Sequence, residues 1–370
     1  MTNKADIVIM AELDWGGLHC QSHVMAKGFA NDGHRVFYIN RTLQRWPRFR
    51  HLMTRLRPAP QSGIQPGTEV PEGIAVINLW VGPPVAWLRP LNFMMIWLTM
   101  RKYSITDPVM LTYVPTYNCF DLIPIIKARL IAYVCYHNFD ADIVLPDLLK
   151  SEKKIIERAN VLFADSRFLV ERIKRLSGGK VVHQAPPGVY FDQFSKAFRG
   201  DEVMTLKKIC FFGGAGSHLD IATYNQLCEK YEVHFIAVIS NDIKDKIDPR
   251  IIISPPVKNH ELPALLYSMD VLTILYVNSP YIDAVLPAKF FECIATGKPL
   301  LVSGLPELKY YDECVYDTEN DPGKAITILQ NLKTTHTDDR IKTQMEVGRK
   351  ADFNIRYREM ADKILRSHEN

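Results

Sequence analysis

The chain has 370 residues, 47% of them hydrophobic and 23% charged, with a formal net charge of +4 at pH 7. That length exceeds one ordinary core and fits two domains, while the composition is globular, neither disordered nor fibrous. So small an excess of positive charge does not suggest a nucleic-acid binder, and seven cysteines without paired spacing predict reduced thiols in a cytoplasmic compartment.

Short apolar runs alternate with helical patterns twice over, which predicts two α/β units with mostly parallel sheets. The N-terminus, MTNKADIVIM, passes directly into a strand pattern, so no signal peptide is expected. In the first half the predicted strands are 7–10, 36–39, 75–79, 109–113, 131–134, 161–164 and 181–183. A helix is expected over roughly 21–31, stopped by Asp32-Gly33, and Ser166 is placed to cap a helix starting at Arg167. Between Arg41 and Arg57 lie six arginines and no acid, interleaved with Trp46, Phe49, Leu52, Met53 and Leu56. The longest apolar run, Leu91 to Met100, is about half the length that spans a bilayer and is flanked by Arg89, Arg101 and Lys102, so the chain is expected to be soluble or peripheral.

Turn residues from Ala185 to Gly200 mark the connection to a second unit. That unit opens with a strand at 208–212, a turn Gly213-Gly214-Ala215-Gly216-Ser217 and a helix from about Asp220. Strands are predicted again at 233–238, 251–253, 271–275 and 300–302. The last helix carries Tyr357, Met360, Ala361, Ile364 and Leu365 as an apolar stripe at helical spacing.

The residues with the clearest chemistry lie in 286–310, LPAKFFECIATGKPLLVSGLPELKY. Lys289 and Glu292 share one face in the first turns of a short helix, where free N–H groups and the helix dipole already favour an anion. A cation for a diphosphate beside a carboxylate for two ribose hydroxyls is what a nucleotide-diphosphate pocket needs, although an ion pair on a solvated helix face has the same spacing. The turn at 213–217 after a strand presents backbone N–H groups of the kind that bind phosphate. It is not a Rossmann G-x-G-x-x-G, and no acidic residue follows to hold a dinucleotide ribose.

Pro287, Lys289, Phe291, Glu292, Ala295, Gly297 and Pro299 match the pattern Pro-x-Lys-x-Phe-Glu-Tyr-x-Ala-x-Gly-x-Pro. The segment thereby resembles the donor-binding motif of GT-B glycosyltransferases, of the bacterial exopolysaccharide, teichuronic-acid and xanthan glucuronosyltransferase kinds. The resemblance implies two Rossmann-like domains with a cleft between them: 1–187 for the acceptor, with a C-terminal helix 346–370 crossing back to it, and 188–345 for the donor. It implies a nucleotide-sugar substrate, UDP-sugar favoured, and no cofactor or metal. Lys289 would hold the diphosphate and Glu292 the ribose, with Pro287 and Phe290 beside them and Gly213, Gly214, Gly216 and Ser217 supporting the phosphates. Gly16 and Gly17 fit the loop that contacts the acceptor.

For a base, the best candidates follow the strand at 131–134: His137, Asp140 and Asp142. Related inverting enzymes use an aspartate here and many retaining relatives a histidine. Asp140 is taken as base and His137 as a donor-sugar contact, an order the sequence itself leaves open. Asp140-Ala-Asp142 matches a D-x-D metal signature only formally. Retaining GT-4 enzymes carry E-x7-E, but eight positions before Glu292 stands Ala284, beside Asp283; this departure favours inversion. The hinge motif N-G-V-D survives only as Gly188-Val189, with Pro187 and Tyr190 in place of its polar ends. Arg41–Arg57 and Val85–Met100 suggest a surface for an anionic membrane, and with it a polyprenyl-diphosphate saccharide acceptor in bacterial surface-polysaccharide synthesis. A UDP-sugar 2-epimerase and an inactive scaffold of the same fold are the rival readings.

Overall fold

The computed structural model describes residues 4–16, 20–40, 69–141, 147–198, 200 and 206–367. The segment Arg41–Arg57, Gly17 and Asp142 lie outside them. The chain divides into two compact units, residues 1–185 with 357–370, and residues 186–356. The divisions expected from the sequence lie at 187/188 and 345/346.

In the first unit, the described strands form one parallel sheet: β1 (Asp6–Met10), β2 (Arg35–Ile39), β3 (Ile74–Ile77), β4 (Val109–Thr112), β5 (Leu130–Cys135), β6 (Val161–Ala164) and β7 (Val182–Gln184). Their order is β3-β2-β1-β4-β5-β6-β7. The chain runs outward from β1 to β3, then returns to the other side of β1 and runs outward again. Ile7, Val8, Ile9 and Met10 are all fully buried, as expected for a strand covered on both faces. The helix Gln21–Asn31 ends at Gly33, whose φ of +86° suits the left-handed turn. His34 is buried there, its Nδ1 accepting the Ala5 N–H at 3.0 Å. Ser166 caps the helix Arg167–Leu176 by accepting from the Leu169 N–H.

The helix Phe353–Arg366 buries Tyr357, Met360, Ala361 and Ile364. A Cβ at Gly28 would lie 2.4 Å from the Tyr357 ring, so only glycine fits at that point of the helix Gln21–Asn31. The Tyr357 hydroxyl donates to Asp32 at 2.6 Å. Residues 346–356, expected with the first domain, belong to the second unit, because the helix Asp338–Lys350 packs on the helix Ala288–Ala295.

The second unit's described strands are β8 (Lys208–Ala215), β9 (Glu232–Ile239), β10 (Ile252–Ser254), β11 (Val271–Leu275), β12 (Leu300–Ser303) and β13 (Tyr316–Asp317). They are parallel, in the order β10-β9-β8-β11-β12-β13. β13 was not expected: with two residues it has no readable alternation. The helix Ile221–Leu227 is capped by Asp220, which accepts from the Thr223 N–H.

No described helix is long and apolar enough to cross a membrane. The run Leu91–Met100 lies in the amphipathic helix Arg89–Met100, which buries Asn92, Ile96 and Met100 and exposes Leu91, Phe93, Met94, Trp97 and Leu98.

Candidate functional site

Each sheet has one place where the strand order reverses, and open α/β sheets bind ligands there, outside the carboxyl ends of the strands. In the second unit that place lies between β8 and β11. Lys289 is held there by the helix Ala288–Ala295, its Nζ 4.3 Å from the centroid of Phe211 on β8 and 5.7 Å from that of Tyr276, just past β11. Burial lowers its pKa to about 8, with Cys293 and Glu292 pulling partly the other way. The ammonium thus lies over ring faces, with no ion pair to a carboxylate among the described residues.

Glycine at 213 is a consequence of that position. Its φ is +113°, and a Cβ there would come within 2.8 Å of Lys289 Nζ. A Cβ at Gly214 would meet nothing within 4 Å, Ser217 is exposed, and Gly216 is half-buried. His218, which the sequence reading did not single out, stacks edge-on to Tyr276 at 4.7 Å, and its pKa is lowered by burial and then by the charge of Lys289.

Glu292 lies one turn beyond Lys289. The two form no ion pair among the described residues, so this is not a closed helix-surface pair. Glu292 Oε1 instead accepts from Asn259 Nδ2 at 2.9 Å. Burial raises the Glu292 pKa, partly offset by Asn259 and Lys289. Asn259 Oδ1 is buried with no hydrogen-bond partner among the described residues. A carboxylate and an amide oxygen, both able to accept, therefore meet beside a cation, a combination that fits vicinal hydroxyls next to a diphosphate. Asn259 comes from the loop after β10, far from Glu292 in sequence, so no local pattern could reveal it.

Two residues expected at the donor are placed otherwise. Phe290 is fully buried, against Phe291 and Tyr311 at 4.9 Å each, and serves the core rather than the ligand. Pro287 is the N-cap of the helix; its side chain supplies no hydrogen bond, and its carbonyl accepts the Phe290 N–H at 2.9 Å.

In the first unit, Gly16 lies in a turn whose neighbour Trp15 donates its N–H to Asn40 Oδ1 at 2.8 Å, while the Tyr38 hydroxyl donates to Leu13 O at 2.9 Å. His137 follows β5 and is half-buried, its ring 5.0 Å from Phe139. Asp140 does not have the environment of a base. Arg172 grips it from two nitrogens, Nε at 2.8 Å and Nη2 at 3.0 Å, and thereby lowers its pKa. Arg172 and Glu152, 2% and 1% exposed, are paired at 2.7 Å, and Tyr133 donates to Glu152 at 2.8 Å. Asp140 is the outer end of this buried chain of charges; a carboxylate so held is a poor proton acceptor at neutral pH.

No family model matches the chain. It is 26% identical over 229 residues to a Bacillus subtilis (strain 168) protein named as a teichuronic acid biosynthesis glycosyltransferase, TuaH. The match covers 57% of this chain and 58% of that relative, under two thirds of its length. Among solved structures, sucrose-phosphate synthase from Thermosynechococcus elongatus superposes with a TM-score of 0.69 at 13% identity, covering 98% of each chain. Anabaena HepE, solved with UDP and glucose, gives 0.65 at 11% identity, covering 97% of this chain and 99% of that one. The fold is therefore the two-unit α/β architecture of GT-B glycosyltransferases.

Proposed function

We propose that the chain is a glycosyltransferase that moves a sugar from a uridine diphosphate donor to a lipid-linked saccharide, with inversion and without a metal. The observation that carries the reading is the pair at the second unit's switch point: an unneutralised, half-buried Lys289 and, one turn on, Glu292 with Asn259. Lys289 faces the diphosphate and stabilises the charge that develops as the leaving group departs. Glu292 and the Asn259 oxygen accept from ribose hydroxyls, and the Gly213–Ser217 turn lies beside the phosphates. The name of TuaH and the UDP of HepE support the donor and the polysaccharide context.

The lipid-linked acceptor and a peripheral membrane contact are supported by the helix Arg89–Met100 and its approach. Trp87 is 71% exposed, Trp80 and Leu91 more than half, and Arg101 lies over the Trp97 ring at 4.5 Å. Aromatic and basic side chains together suit the headgroup region of an anionic bilayer.

The test is a thermal-shift panel of UDP, GDP, ADP and their sugars on wild type and Glu292→Ala. A ligand at about a hundred times its dissociation constant stabilises the native state by about 2.7 kcal/mol. A shift with uridine nucleotides that Glu292→Ala loses is the expected result; no shift with any nucleotide would leave an inactive scaffold as the better reading.

A further inference from the structure

The first unit has its own switch point, between β1 and β4. Glu12 lies two residues past β1, and Tyr113 is the first residue past β4, its N–H donating to Met10 O at the end of β1 at 3.1 Å. Tyr113 is 1% exposed. Its hydroxyl and Glu12 Oε2 are both buried, and neither has a hydrogen-bond partner among the described residues. Leaving a buried polar atom unpaired is costly, so two such atoms at one carboxyl-end crevice mark a place suited to a polar ligand group.

The two atoms are complementary. A phenol can donate one hydrogen bond, and a carboxylate can accept a proton. One hydroxyl between them would accept from Tyr113 and donate to Glu12. Cys20, Tyr38 and Tyr113 are all pushed up by burial, and the charge of Glu12 raises each further. His23 is lowered by burial to about 4. The exposed Asp14 and the Ser22 hydroxyl complete the neighbours. Burial raises Glu12, against the weaker pull of Cys20 and Ser22, the direction that makes a carboxylate a better proton acceptor.

We propose that Glu12 is the general base of the transfer and that Tyr113 positions the acceptor hydroxyl against it. This rests on the glycosyltransferase reading and gives to Glu12 the role expected of Asp140. The proton of the acceptor hydroxyl passes to Glu12 Oε2, and the hydroxyl oxygen bonds to the anomeric carbon of the donor sugar. The bond from that carbon to the diphosphate breaks, its electron pair leaving on the diphosphate.

The test uses the full chain with UDP-glucose, UDP-galactose, UDP-N-acetylglucosamine and UDP-glucuronic acid, with water and octyl glycosides as acceptors. UDP-induced thermal shift and sugar release are measured together. Glu12→Gln is expected to keep the UDP shift and to slow sugar release about 100-fold or more. Wild-type release should rise with pH through one ionisation that Glu12→Gln lacks, and Glu12→Asp should recover part of the rate. Tyr113→Phe should raise the acceptor KM and keep the pH limb. A Glu12→Gln rate matching wild type, a pH limb that survives in it, or a wild type that binds UDP yet releases no sugar would each overturn the proposal. Absence of any UDP shift is a separate result: it removes the glycosyltransferase reading itself.

Discussion

Replacing Gly213 with alanine strikes both the backbone and the cation of the candidate donor site. At φ +113° an alanine is strained, and such conformations cost about 1–3 kcal/mol. The new Cβ would lie 2.8 Å from Lys289 Nζ, and because Nζ is the free end of a flexible chain, the lysine gives way rather than the strand. The variant should therefore fold, be less stable by about 1–3 kcal/mol, and present its ammonium displaced. A charged hydrogen bond contributes about 1.5–3 kcal/mol, which corresponds to a UDP dissociation constant raised about tenfold to a hundredfold. Urea unfolding gives the first quantity and titration calorimetry with UDP the second. Gly214→Ala, whose Cβ would meet nothing within 4 Å, should keep its stability within about 0.5 kcal/mol. If Gly213→Ala unfolds like wild type and binds UDP as tightly, Lys289 does not face the diphosphate.

Further outcomes are expected. With the Lys289 pKa lowered to about 8, the cation is present below that pH and lost above it, so calorimetry should show UDP affinity falling as pH rises past 8, with proton uptake on binding; Lys289→Arg should abolish both. The same shift makes the unfolded chain the stronger proton binder between pH 8 and 10.5, so the lysine's destabilising share is relieved as pH rises through that window. Arg172→Met leaves Glu152 buried without its cation and should cost about 3–5 kcal/mol in urea unfolding; the double variant with Glu152→Gln should recover much of that. Asp140→Asn should lose only a partly exposed contact, and its lowered pKa means this contribution is present above the unfolded carboxylate pKa and fades as pH falls through the folded value. Leu91→Asp and Trp87→Ser should each lower co-sedimentation with phosphatidylglycerol vesicles about tenfold or more, at roughly 1.5–3 kcal/mol per inserted side chain, and leave the UDP shift intact; unchanged sedimentation would detach that helix from the membrane.

The strands were legible because they are buried on both faces. Runs such as Ile7–Met10 and Leu300–Val302 are apolar throughout, a signal that needs no partner to be read. Lys289 and Glu292 were legible for a similar reason: both lie on one helix and their relation is a spacing. What escaped was set by partners distant along the chain. Asp140 looked like a free carboxylate until Arg172, 32 residues on, took it up. Asn259 reaches Glu292 across 33 residues, and Glu12 gains meaning only beside Tyr113, because sheet order rather than sequence brings β1 next to β4. The exposure of the helix Arg89–Met100 also escaped, since an apolar run reads alike whether its outer face meets protein or water.

The path of the chain has a consequence for its birth. The first unit is written in two instalments, residues 1–185 and 357–370, with all of the second unit between them. On the ribosome, Gly28 emerges with an open slot and must wait through more than three hundred residues for the Tyr357 ring that fills it. The second unit, continuous in sequence, can fold in the interval, so the part made first is finished last. A cut after residue 356 would accordingly spare the unit it ends and damage the one begun at the other end of the chain, and residues 186–356 form the piece to express alone.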